Sequence, residues 1–470
     1  MTPQPFSRAL PAVLIALSGL FALGRPAQAR VYTLEELLEL AKRSNPGLVA
    51  GARQTAQVEA QLSEARRSWL PSGELLSFVG PSPSLRCLPE AGRSPSEFTK
   101  KFREEHCAQT DDYEASVTLK GVYTRTELRV IQPLYTFGKI SAGTNAARAG
   151  IAASRDREQG LVADLELNVR RAYWGAKLGR DILETIKDGM GYLDEAQKII
   201  EKNLSTGTGT STVVDRHRLK AMRAEIDARV LEAEKLAALA IAGLRALIGP
   251  EAPNDIQVDA EPLEAPTIPE RPLTQYQEQA RLSRPEVKAL NHLVDAKRAL
   301  ADFEKRKQYP DLVAIGGVTF AFASSVDNPK NAFANDPFNT LSAGLAVALR
   351  MPLDLGVRNA RSVRVSAEAE EVFHRRREAL GGIGFEVERA YAEMIEAQKR
   401  SKIMQSGEKT GKAWITTVAQ NFSAGLAETK DFADGLVAFF QFRVRALQAI
   451  FDVNIAAASL GRAVGGDVTR

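Results

Sequence analysis

The sequence predicts a mainly helical, internally duplicated chain carrying four amphipathic strands, which must pool with strands of other copies to close a membrane barrel. Three observations carry this: a repeat of nearly half-chain scale, two helical hairpins of unusual length, and strands too few for a barrel. Leu34, Ala41, Ser44, Pro46 and Pro71 fall on Leu273, Ala280, Ser283, Pro285 and Pro310 without a gap. Later, Val169, Arg171, Ala172 and Tyr173 fall on Val387, Arg389, Ala390 and Tyr391, and Gly209, Asp215, Leu244 and Gly249 on Gly425, Asp431, Leu460 and Gly465. A period this long marks a duplicated half-molecule, not a solenoid of small units.

Residues 1–29 read as an export signal. Arg8 precedes an apolar stretch from Ala9 to Leu23, and Ala27-Gln28-Ala29 is a small-residue cleavage site. The stretch is shorter than the ~20 residues a spanning helix needs. The first repeat then runs over 30–249, a linker dense in Pro and Glu over 250–272, the second repeat over 273–465, and a short tail over 466–470.

Each repeat opens with a helix. Thr33 with Glu36 forms a capping-box pattern, Asn45-Pro46 interrupts the helix, and Pro71 and Pro310 stop its continuation. Beyond each proline the period changes to two. Leu341, Ala343, Leu345, Val347, Leu349 and Met351 alternate with small or polar residues; Val318, Phe320 and Phe322 do likewise, as do Leu128 and Val130. Glu74 to Gly80 is a weaker strand. Long helices follow, from about Ser141 to Asn203 and Asn359 to Asn421, each roughly 90 Å at 1.5 Å per residue. After a polar turn, Leu219, Met222, Ile226, Val230 and Ala233 begin a seam at steps of three and four, matched in the second repeat by Gly435, Ala438, Phe442, Ala446 and Ala449.

Four strands cannot close a barrel, since even the smallest membrane barrels use about eight and open edges are excluded from lipid. Three copies supply about twelve, and other symmetries satisfy the same constraint.

Composition narrows function. The net charge is +4, and loss of the leader with Arg8 and Arg25 brings the chain close to neutral, which gives no argument for nucleic acid. Cys87 and Cys107 lie in one Pro/Ser-rich segment; in an oxidising compartment they pair and pin a surface loop, worth about 3 kcal/mol by loop entropy. His106, His217, His292 and His374 show no metal-ligand spacing, and no Gly-rich run follows a strand as a phosphate loop does. Neither an enzyme nor a cofactor is expected. Arg66-Arg67 and Lys305-Arg306-Lys307 suit helix C-termini; if Pro71 and Pro310 mark a membrane boundary, these cations also reach lipid phosphates.

The opening Tyr32-Thr33-Leu34-Glu35-Glu36, Asn45-Pro46, Pro71, the run Gln132-Pro133-Leu134-Tyr135-Thr136-Phe137-Gly138-Lys139 and the duplicated hairpin tips resemble the TolC-type outer-membrane efflux and secretion channels, across almost all of Val31 to Gly465. The resemblance implies a homotrimer with a twelve-stranded barrel among outer-membrane lipids, a periplasmic helical tunnel, a periplasmic adaptor and an inner-membrane transporter. It makes Gly209, Thr212, Asp215, Gly425, Leu426 and Glu428 an adaptor-docking surface, and Asp431 and Asp434 an aperture gate. Helix capping alone also accounts for the tip residues, and solvation for the aspartates. Where some relatives place a latching arginine, this chain has Ala427. A periplasmic coiled-coil scaffold without a pore explains the hairpins but leaves the strands without purpose.

Overall fold

In the computed structural model, residues 30–87, 94–106, 113–207, 211–330, 336 and 338–469 are described, without the side chains of 113–118. The export signal, Cys107 and Gly209 lie outside the described residues.

The element order repeats. In the first repeat α1 (Leu34–Ser44), α2 (Pro46–Arg67), β2 (Ser72–Cys87), β3 (Tyr113–Tyr135), α4 (Lys139–Thr206) and α5 (Val213–Ile248) follow one another. In the second, α6 (Leu273–Ser283), α7 (Pro285–Arg306), β5 (Asp311–Ala323), β6 (Thr340–Arg350), α8 (Leu355–Ser423) and α9 (Thr429–Val464) do the same. Outside this scheme lie β1 (Arg30–Tyr32), α3 (Lys100–His106) and β4 (Ile256–Val258).

Local chemistry sets the joints. Thr33 and Glu36 close a reciprocal capping box on α1. Asn45 ends α1 and caps α2, its Oδ1 accepting from the Leu48 amide, while Pro46 occupies a first-turn position where no amide hydrogen is needed. The same corner is tied to the end of α5: Asn45 donates to the Leu247 carbonyl at 2.6 Å and Ser44 to that of Ile248 at 2.9 Å.

Three apolar clusters hold the helices. Leu37, Ala41, Val169, Leu244 and Ile248 form one, and their repeat equivalents Tyr276, Ala280, Val387, Leu460 and Val464 form another. The duplicated sequence thus builds its core twice. The third cluster lies near the hairpin tips and joins both repeats through Leu193, Ile200, Leu219, Ile415, Phe432 and Leu436.

The strands form one antiparallel sheet in the order β2-β3-β5-β6. Register stacks Leu75, Leu128, Val318 and Ala343 in one row and Leu76, Glu127, Thr319 and Ser342 in the next. Because side chains alternate across a strand, the two rows belong to opposite faces. One face carries Leu75, Leu128, Phe320, Leu345, Val347 and Leu349, all exposed, with Leu345 at 82%. The other carries Glu74, Arg125, Glu127 and Arg129 around its middle, with Leu76, Phe78, Ile131, Val313 and Ile315 among its apolar residues. Among the described residues no helix is long and apolar enough to cross a membrane.

Two expectations need correction. The weak strand at Glu74 to Gly80 is part of a 16-residue strand, and β3 has 23 residues; Pro81 and Pro83 hide the alternation where the strands continue beyond the sheet's shared span. The Pro-rich linker, expected only as a connection between the repeats, is also packed against them. Its β4 pairs in parallel with β1, Leu263 is buried and donates its amide to Asp181 at 3.0 Å, and Asn454 reaches the Glu264 carbonyl at 2.8 Å. Asp259 receives the Tyr173 hydroxyl and the Lys177 ammonium, so the linker is strapped to α4 by groups distant in sequence.

At the far end of the sheet, residues 94–106 fold over the turn after β5. Arg103 is buried and donates two bonds to Asp327, at 2.5 and 3.0 Å, and further bonds to the Pro95 and Phe98 carbonyls. Asp327 also accepts the Cys87 amide, and Cys87 is buried and disulfide-bonded. The pair therefore clips the loops of the two repeats together. Asp327→Ala leaves a buried guanidinium unpaired, a loss of about 3–5 kcal/mol for a buried pair. The expected outcome is rapid proteolytic cleavage within 94–106 with the helical signal unchanged; a variant as resistant as the parent contradicts this role.

Candidate functional site

The hairpin tips bring together most of the residues singled out in the sequence. The first tip ends α4 at Gly207, in the left-handed region at φ +65, where a side chain is disfavoured. Thr212 then caps α5 in a capping box with Asp215: the Asp215 amide donates to Thr212 Oγ1 at 3.3 Å, and the Thr212 amide to Asp215 Oδ2 at 2.8 Å. Burial pushes the Asp215 pKa upward, but the Thr212 bonds, the Thr429 hydroxyl of the other hairpin and Arg218 outweigh it, leaving the carboxyl below its ordinary range.

The second tip differs. Gly425, at φ +75, turns the chain after α8, Leu426 is 80% exposed, and Glu428 starts α9 without a side-chain cap. Thr429 is buried beside the first tip. The structure thus places Thr212, Asp215, Gly425, Leu426 and Glu428 at one end of the helices, with Asp215 committed to a cap and Leu426 and Glu428 free to meet another surface.

Asp431 and Asp434 are exposed on one face of α9, one turn apart, while Thr429, Phe432, Ala433 and Leu436 bury the opposite face. Neither forms an ion pair among the described residues. Buried neighbours fix the helix, so both carboxylates hold a defined direction while remaining solvated. Such a pair concentrates cations near it and repels anions.

Two features here escaped sequence reading. Phe422 stacks on Phe432 across the tip, with centroids 5.2 Å apart. Phe440 of α9 fills a notch at Gly189 of α4, where an added Cβ would lie 1.4 Å from the ring's Cζ. That notch joins the two hairpins, and glycine is there for space, not for backbone freedom. Its signal in the sequence is only a glycine inside a helical pattern.

Two tests follow from this geometry. Asp215→Asn weakens the cap by about 1 kcal/mol at neutral pH. Because the folded pKa is depressed, the carboxylate's contribution is complete above the ordinary range and is lost as pH falls through the depressed value. Denaturation midpoints of parent and variant therefore converge in acid; a gap that widens in acid overturns the assignment. Gly189→Val expels the Phe440 ring and lowers the thermal midpoint. In a Phe440→Ala background the same change costs distinctly less, the non-additivity expected of residues in contact; strictly additive losses contradict the notch.

Comparison with known proteins agrees with this geometry. Residues 277–466 match the sequence model of the family described as Outer membrane efflux protein. The chain is 23% identical over 440 residues to the cobalt-zinc-cadmium resistance protein CzcC of Cupriavidus metallidurans, covering 92% of this chain and 90% of that one. Its fold is similar to the Campylobacter jejuni CmeC outer membrane channel, with a TM-score of 0.71 and 14% identity over 93% of this chain and 86% of the other. It is also similar to VceC of Vibrio cholerae, with a TM-score of 0.68 and 15% identity over 93% and 96%. The doubled strand-and-hairpin fold and the match across the second repeat agree: the chain has the fold of these outer membrane channels and is similar over residues 277–466 to the outer membrane efflux proteins.

Proposed function

We propose that the protein is a passive outer-membrane conduit that carries solutes from an inner-membrane transporter and a periplasmic adaptor to the exterior. The observation that carries this is the two-faced sheet, apolar and exposed on one side, polar on the other, with β2 and β6 as unpaired edges. The 11 residues of β6, tilted about 40°, rise roughly 28 Å, close to the ~25 Å apolar band of outer-membrane barrels. Three copies would join β2 to β6 around a ring of twelve strands, with the charged face lining a lumen. The long helices would continue that lumen as a tunnel.

At its far end Leu426 and Glu428 would meet the adaptor, supported by Gly209, Thr212, Asp215 and Gly425 as the frame of the tips. Asp431 and Asp434 from each copy would ring the aperture. Energy would come from the inner-membrane transporter of this reading. The name of CzcC ties that protein to cobalt, zinc and cadmium resistance. A carboxylate ring favours cation passage of this kind, and no metal-holding cluster occurs among the described residues, so the cations would pass without a resident site.

Conductance in planar bilayers tests the reading. The parent is expected to give a cation-selective channel, and Asp431→Ala with Asp434→Ala to lose most of that selectivity while still conducting. Selectivity that ignores the double change refutes the gate but keeps the conduit. Folded protein that never conducts and stays out of membranes refutes the conduit and favours the periplasmic scaffold.

A further inference from the structure

We infer that the outer surface just below the barrel is a phosphate-binding collar, formed by Arg66, Arg67, Lys305 and Arg306, that grips anionic phospholipid headgroups of the inward-facing leaflet. The inference rests on the membrane-barrel reading and adds a partner to it.

The first support is level. Strand register sets Ser72 opposite Ile131 and, through it, Ile315, four residues inside Asp311, while Asp311 faces Arg350; in a barrel whose strands tilt about 40° such a stagger brings the strand-to-helix passages of the two repeats to a similar height. Arg66 precedes Ser72 by as many residues as Lys305 precedes Asp311, and Arg67 and Arg306 correspond in the same way. At 1.5 Å per residue these cations lie roughly 6–9 Å beneath the strands. Trp69, Leu70 and Tyr309, all exposed, fall between the two levels. Apolar strands, then aromatic rings, then cations is the order in which hydrocarbon, interface and headgroups are met.

The second support is direction. A cavity of about 650 Å³ lies between α2, α4 and α7, lined on α2 by Val58, Gln61 and Ala65 and on α7 by Ala296, Leu300 and Phe303. Its upper wall includes Ser72, Ile131, Val313 and Arg350, which share the sheet face of Glu74 and Arg129. The cavity therefore opens on the polar, lumenal side. At 3.6 residues per turn, Arg66 and Arg67 project from the half of α2 opposite that side, and Lys305 and Arg306 do so from α7. The basic pairs point outward.

The third support is charge. Arg66, Arg67 and Lys305 are exposed and form no ion pair among the described residues, and Arg306 pairs only with Asp302. Other arginines near this level are mixed: Arg358 is paired with Asp354 and Arg364 with Glu368, whereas Arg361 on α8 is exposed like the basic pairs. Helix-end cations alone would need no repetition at similar height and direction in both repeats. A phosphate surface does, because it meets both helices alike.

The experiment uses the full-length protein in nanodiscs of mixed phosphatidylglycerol and phosphatidylcholine, with retained lipid counted by native mass spectrometry. The parent should retain phosphatidylglycerol several-fold above its share of the bilayer. Replacing all four residues by Gln should abolish that enrichment, with single changes lowering it by up to roughly fivefold each. Replacing Lys198, Lys202, Lys409 and Lys412 by Gln, exposed cations far down the helices, should leave it intact. Equal enrichment in the parent and the four-residue variant, or none in the parent, overturns the collar. Loss of enrichment when inorganic phosphate is added overturns the lipid assignment in favour of a free-anion site. A protein that never enters the bilayer fails at the membrane reading itself, an outcome distinct from insertion without lipid preference.

Discussion

An open sheet edge in a membrane is the constraint on which everything else depends. Backbone groups facing hydrocarbon cost several kcal/mol each when unpaired, and β2 and β6 each leave a full row without a partner in the single chain. The apolar face makes the problem worse in water, since Leu345, Val347 and Leu349 are exposed there as well. One copy is therefore stable in neither solvent as it stands. The long helices answer part of this: they give each copy a helical body built around its own apolar clusters, independent of the strands' partners.

Duplication divides the task. The two repeats build equivalent cores, as Leu37 with Ala41 and Tyr276 with Ala280 show, and each delivers two strands and one hairpin. They then diverge where they touch other things. The first hairpin enters α5 through a capping box of Thr212 with Asp215; the second leaves Glu428 uncapped and Leu426 in solvent. The first tip also reaches across, because Thr429 borrows the Asp215 carboxylate. With the Gly189 notch around Phe440, this gives two links between the hairpins.

The sequence revealed what periodicity encodes. Helix-period seams, strand alternation and proline stops were legible, since each reflects a face that water or apolar packing selects along a single element. The Thr33 and Thr212 caps were legible for the same local reason. Contacts between distant residues were not. Nothing near Asp259 announces Tyr173 and Lys177, nothing near Arg103 announces Asp327, and a linker rich in proline reads only as a connection until its amides are seen to be taken. The strand at Ser72–Cys87 was underread because Pro81 and Pro83 argue against a strand interior, a rule that edge strands escape.

The distribution of charge follows from the same geometry. A near-neutral chain can still be strongly sorted: solvated carboxylates without partners at the α9 start, paired charges along the helix seams, and unpaired cations under the sheet's outer rim. Paired charges on long exposed helices contribute little to stability individually, so their value lies in keeping those faces soluble and in register. The unpaired ones are those to which the proposed aperture and lipid boundary assign a field. Burial supplies the fold's stability, and the charges left without partners mark the surfaces through which it acts.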